Sequence, residues 1–184
     1  MISTSSLADR LSAVVAFWRD ASAHWFHKSD AFDDDFRRRF LALHELAAHG
    51  ELNGAAVTPK AALGLVILLD QFPRNAFRGS PRMYATDPLA RAQAVRAIGA
   101  GFDAQAEPEL RGFFYLPLSH SESLSDQERA VALNRAFDPE WLRSALGHCD
   151  VVQRFGRFPH RNAVLGRVST PQELAFLAAG GFAG

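Results

Sequence analysis

The sequence predicts an all-α fold, and three observations carry that expectation. Helix start and stop signals recur along the chain, apolar residues fall at three-to-four spacing, and no segment shows strand alternation bounded by hairpin turns. Four dipeptides, Thr58-Pro59, Asp87-Pro88, Asp138-Pro139 and Thr170-Pro171, pair an N-cap residue with proline at the first helical position. The cap oxygen accepts an orphan N–H, and proline has none to leave unsatisfied there. Ser125 with Glu128 and Thr170 with Glu173 have capping-box spacing. Gly50, Gly101, Gly156 and Gly180 stand where a left-handed residue would close a helix.

These signals place about eight main helices, near 5–20, 30–49, 59–71, 88–100, 108–116, 125–137, 139–155 and 171–179, with shorter turns around 75–78 and 162–166. Leu7, Leu11, Val14, Val15 and Trp18 mark the buried face of the first helix. The second opens on Asp33, Asp34 and Asp35, which complement the positive helix end, and continues into Arg37, Arg38 and Arg39 as a solvated face. The third is apolar on all sides from Ala61 to Leu69, the mark of a helix surrounded by others. Proline at 73 sets its expected end near Gln71. No linker or low-complexity stretch appears, so residues 1–184 read as a single helical domain.

Composition excludes several classes of function. Apolar residues make up 48% and charged residues 22%, the proportions of a globular protein. Twenty basic and twenty acidic side chains cancel, so no global field draws the chain to nucleic acid or anionic lipid. The single cysteine, Cys149, excludes an internal disulfide and a cysteine-rich metal site. The N-terminal residues lack the basic and apolar regions of a signal peptide, and the longest apolar run, Ala61 to Leu69, is too short for a membrane span. The expected address is the cytoplasm.

Two motif-like stretches fail on geometry. His44 and His49 flank Glu45 but lie five apart, about 140° around a helix, so they do not share a zinc-binding face. Gly99-Ala100-Gly101 closes a helix instead of following a strand, so the dinucleotide-binding context is missing. No metal site is expected, and whether a cofactor is used is not legible.

Three segments hold the unusual polar residues. The first is Asp70, Arg74, Asn75 and Arg78; an acid in the last turn of an apolar helix needs a cation, a proton or water. The second is Ser119-His120-Ser121-Glu122, ahead of a helix carrying Gln127. The third runs from Arg154 through Arg157, His160, Arg161 and Asn162 to Arg167; between Val151 and Gln172 four arginines meet no acid. The stretches 72–79 and 158–166 echo one another, with His160 as an insertion, and suggest one turn chemistry used at two helix exits.

At these segments the chain resembles domain-of-unknown-function family 924, a bacterial group. The resemblance rests on Leu68-Leu69-Asp70-Gln71-Phe72-Pro73-Arg74-Asn75, Tyr115-Leu116-Pro117-Leu118-Ser119-His120-Ser121-Glu122 and Phe155-Gly156-Arg157-Phe158-Pro159-His160-Arg161-Asn162, with Phe17-Trp18 and Trp25-Phe26. Ser119 departs from it, standing where a charged residue is commoner. The resemblance implies an α-α superhelix of the tetratricopeptide-like kind and supplies no activity.

Two functions from different classes fit. One is a pocket for a small carboxylate or phosphate, capable of catalysis: Arg74, Asn75, Arg157, Arg161 and Asn162 would bind the anion, and His120 or His160 would exchange protons, oriented by Asp70 or Glu122. The other is an adaptor holding a protein segment in a helical groove, with the polar residues purely structural. Oligomeric state is not legible.

Overall fold

The computed structural model describes residues 4–182, with side chains from Ser6. Residues 1–3, part of the stretch that lacks leader character, and 183–184 lie outside it. Every regular element among the described residues is helical: α1 (Thr4–Asp20), α2 (Asp30–Ala48), α3 (Pro59–Ala76), α4 (Asp87–Gly99), α5 (Pro108–Arg111), α6 (Leu116–Ser119), α7 (Leu124–Arg135), α8 (Pro139–Phe155) and α9 (Pro171–Ala178). Short 3-10 turns, among them Gly112–Phe114 and Pro159–Arg161, connect them. No helix among the described residues is long and apolar enough to cross a membrane.

The described residues form two compact units, 4–78 with 82–117, and 79–81 with 118–182. In the first, α3 packs against α1, α2 and α4. Ala61 through Pro73 are all buried, as an apolar helix surrounded by helices requires. Leu11 and Trp18 from α1, Phe36 from α2, Ala90 and Ala94 from α4, and Phe113 and Phe114 complete this core. At Gly64 the α1 backbone comes so near that a Cβ would overlap the Leu11 carbonyl oxygen. In the second unit, α7 and α8 pack as a hairpin joined by residues 136–138. Val151, Val152 and Phe158 form its core cluster, flanked by Phe155, Phe176 and Phe182.

Most of the punctuation operates as expected. Thr58 caps α3 through the Ala61 N–H, Asp138 caps α8 through the Glu140 and Trp141 N–H groups, and Thr170 with Glu173 forms a complete capping box. Gly50, Gly101, Gly156 and Gly180 all have positive φ.

Four local expectations are corrected. Ser125 and Glu128 form no capping box, because α7 starts at Leu124 and the Ser125 hydroxyl pairs with that of Ser123 instead. Asp87 is the first residue of α4, and its carboxylate accepts from Arg74. Asp33 is buried and pairs with Asn75 and Arg78, so the start of α2 is not a wholly solvated face.

The fourth concerns α3, which runs through Pro73 to Ala76. An internal proline removes one N–H donor and crowds the carbonyl four residues before it. The carbonyl freed at this point, Leu69 O, finds another donor in Thr86 Oγ1 at 2.6 Å, and its neighbours take side-chain donors as well: His44 Nδ1 to Leu68 O at 2.9 Å and Arg74 Nη1 to Asp70 O at 2.7 Å. A carbonyl can only accept, so His44 carries its proton on Nδ1. The two echoed stretches therefore differ: 72–76 stays helical, whereas 159–161 forms a 3-10 turn, although both end at left-handed glycines, Gly79 and Gly166.

Gly64→Ala should destabilise the fold by about 3 kcal/mol, the upper end of ordinary overpacking, because backbone blocks the added carbon. Urea unfolding monitored by circular dichroism reads this directly; a change of about 0.5 kcal/mol or less would contradict the close approach of α1 and α3.

Candidate functional site

The sequence-selected residues of the first unit are Asp70, Arg74 and Asn75. Asp70 is 1% exposed and, because α3 runs on to Ala76, lies ahead of the last turn and not in it, so burial is what opposes its charge. Gln71 Nε2 donates to its Oδ2 at 2.6 Å, and Arg74 Nη1 lies 3.3 Å from Oδ1. Arg74 also holds Asp87 in a two-pronged pair, Nη1 to Oδ1 at 2.9 Å and Nη2 to Oδ2 at 3.1 Å. Burial works against the Arg74 cation, but Asp70 and Asp87 more than offset it and hold its pKa above the usual value. Asn75 donates to Asp33 Oδ1 at 2.7 Å, and Arg78 Nε reaches Asp33 Oδ2 at 2.5 Å. The end of α3 thus ties together three carboxylates, from α2, from α3 itself and from the start of α4.

His44 sits beside this turn, its ring stacked 4.8 Å from that of Phe72. Burial depresses its pKa below the ordinary value despite the bond to Leu68. Above pH 6.5 the imidazole is neutral in both the folded and unfolded chain. As the pH falls below that value the unfolded chain takes up the proton first, so stability is lost on acidification.

The second unit gathers His120, Glu122, Arg157, His160, Arg161 and Asn162. Glu122 is clamped by Arg167: Nη1 reaches Oε2 at 2.7 Å and Nη2 reaches Oε1 at 3.0 Å, while the Phe158 N–H adds a third bond at 2.8 Å. Burial alone would raise the Glu122 pKa; the Arg167 and Phe158 bonds, with the charges of Arg167 and Arg161, pull it below the ordinary value. Arg167 also donates from Nε to Asn162 Oδ1 at 2.9 Å and from Nη2 to Phe158 O at 3.1 Å. Asn162, fully buried, donates in turn to Ser169 Oγ at 3.0 Å.

Arg157 pairs with Glu173, Nε to Oε1 at 2.6 Å and Nη2 to Oε2 at 2.8 Å. This two-pronged pair, with the Thr170 N–H and Asn162, lowers the Glu173 pKa to about 2. The acid that caps α9 is therefore also an anchor for the arginine-rich loop.

Arg161 is buried with its guanidinium carbon 4.4 Å from the Phe158 ring centroid, and its Nη2 donates to the His120 carbonyl at 3.0 Å. Gln127 Nε2 donates to the carbonyls on either side, those of Ser119 and Ser121, at 2.6 Å each. Three successive carbonyls around His120 are thus held, which fixes the backbone that carries its ring. That ring lies 5.7 Å from the ring of His148; His160 lies 5.6 Å from Phe158. His148 and Phe182 belong to this cluster, although sequence reasoning did not single them out. Periodicity along α8 marks His148 only as one more position on the buried face.

The fold and its charge pairs define an all-helical protein whose helix ends and loops are stapled by arginine–carboxylate clamps. The chain belongs to the family described as bacterial protein of unknown function (DUF924), whose model matches residues 14–181. It is similar to a solved structure of a protein of unknown function from Agrobacterium tumefaciens, at 48% identity and a TM-score of 0.91. That match covers 94% of this chain and 99% of the other. No curated protein matches the sequence.

Asp70→Ala should cost about 2 kcal/mol, the range of a hydrogen bond to a charged group, because the part-buried Arg74 loses one carboxylate while keeping Asp87. A loss below about 0.5 kcal/mol in denaturant unfolding would show that the pair carries no such weight. Acid titration offers a second test. The lowered Glu173 and Glu122 pKa values contribute stability that is complete above pH 4.5 and disappears as the pH falls toward about 2. In Glu173→Gln, the melting temperature should lose much of its dependence on pH within that window, as followed by scanning calorimetry.

Proposed function

We propose that the second unit binds a small carboxylate or phosphate at the cluster of His120, His160 and Arg161. The observation that carries this reading is the concentration of cationic groups around Glu122. That carboxylate is clamped by Arg167 and also feels the field of the buried Arg161, with histidines on both flanking segments. A small anion brought to this cluster would meet charge-assisted donors. An imidazole beside the ligand also gives the site a group able to pass a proton to it.

In this reading Arg74, Asn75, Arg157 and Asn162 leave the list of ligand-binding residues. Each directs its donors to internal acceptors, and Glu122 serves as a staple and not as the partner that orients a histidine. Asp70, likewise, balances Arg74. The proposed address remains the cytoplasm.

Titration calorimetry with inorganic phosphate tests the proposal. Phosphate at a hundredfold its Kd should stabilise the protein by about 2.7 kcal/mol. Arg161→Gln should weaken binding by about ten- to a hundredfold, the loss expected for a charged hydrogen bond. Absence of any heat and any thermal shift with phosphate and acetate alike defeats the proposal.

A second reading has one observation in its favour. The α7–α8 hairpin is the kind of helix pair that stacks in tetratricopeptide-like superhelices, and Leu124 and Leu146 on it are exposed by 42% and 47%. An adaptor would use such a face for a protein segment. Panning a displayed peptide library should then return binders that Leu146→Asp abolishes; a library that returns none removes this reading.

A further inference from the structure

Residues 180–182 leave α9 through two glycines, each with its own physical reason. Gly180 has a φ of 75°, a conformation that L side chains rarely adopt. A Cβ on Gly181 would lie 2.6 Å from the Phe176 ring and from its carbonyl oxygen. Together they turn the chain back and deliver the Phe182 ring to the histidines. That ring meets His148 edge-on at 4.5 Å and His160 at 5.4 Å, and lies 6.2 Å from Phe158.

Phe158 is the common neighbour. Its ring carries the Arg161 guanidinium at 4.4 Å and also receives Phe182, so a cationic group and an aromatic slot adjoin the same side chain. Phe158 itself is fully buried, whereas Phe182 is only partly so. The slot is built by core residues and filled by a residue held less deeply.

We propose that Phe182 is a displaceable plug in the apolar half of the anion site, and that the ligand class is a carboxylate carrying an aromatic ring. The ligand ring takes the place of Phe182 against His148, His160 and Phe158, and its carboxylate meets Arg161. This deepens the anion reading above and rests on it. A plug lowers apparent affinity by the fraction of time the slot is closed, so removing it strengthens binding without adding a contact. Gly180 and Gly181 are the hinge about which residues 180–182 swing.

The test compares full-length wild type, Phe182→Ala and Phe182→Leu, with 3-phenylpropionate, acetate and inorganic phosphate as probes in titration calorimetry. Phenylpropionate should bind Phe182→Ala about tenfold or more tighter than wild type, with Phe182→Leu between them, and its preference over acetate and phosphate should widen in the same order. Diethyl pyrocarbonate should modify His148 and His160 several-fold faster in Phe182→Ala, and phenylpropionate should slow that reaction; mass spectrometry of the peptides reads both. If phenylpropionate binds no better than acetate in any of the three, the aromatic slot is overturned and the anion site stands. If none of the probes binds any variant, both proposals fall. Should Phe182→Ala melt below the assay temperature, the comparison of wild type with Phe182→Leu decides in the same way.

Discussion

A proline inside a buried helix sets the terms for the first unit. Pro73 takes one bond out of the ladder of α3 in the buried core, and an unpaired buried carbonyl is among the costlier defects a fold can carry. The Thr86 hydroxyl ahead of α4 takes up the freed Leu69 carbonyl, and the α2 imidazole of His44 and Arg74 from the next turn of the same helix bond the carbonyls on either side, Leu68 O and Asp70 O. Each donor also fixes the element that carries it. These bonds tie α2 and α4 to α3 at the turn before Pro73, the same turn from which Arg74 holds Asp70 and Asp87.

The second unit solves a different problem with similar chemistry. The loop between α8 and α9 carries three arginines, Arg157, Arg161 and Arg167, and no acid of its own, so it must borrow counter-charge, and it draws on Glu122 from before α7 and Glu173 from inside α9. Both acids accept two-pronged pairs together with a backbone N–H, the geometry in which guanidinium and carboxylate fit best. The loop is thereby a rigid frame, and a rigid frame is what places Arg161 and the imidazoles within reach of one another.

Much of the helical framework was legible because its signals are local. Thr58, Asp138 and Thr170 cap within three residues of themselves, and the apolar run 61–69 announces a surrounded helix without reference to any other element. What could not be read depends on partners distant in sequence. Pro73 predicts an end to α3 unless a donor from α2 and another from just ahead of α4 are known to converge there. Only folding brings His44 and Thr86 to that point. Asp87 looks like a cap beside Pro88 until Arg74 is placed opposite it. For the candidate site, the polar residues themselves stand out in composition, since arginine, histidine and acid interrupt apolar surroundings. Their pairing does not, and neither does the arrival of Phe182, which depends on the tight passage of Gly181 past Phe176.

The cationic partners in these clamps are all guanidinium groups, and that choice reaches beyond geometry. Eighteen of the twenty basic residues are arginine; the two lysines, Lys28 and Lys60, are both exposed. Arginine keeps its proton at any alkalinity a protein survives, so the clamps are silent toward base and yield only to acid. Reagents and enzymes that seek primary amines, acetyl donors and amine-directed cross-linkers among them, find lysine handles only at the periphery and leave the stapled interior chemically untouched.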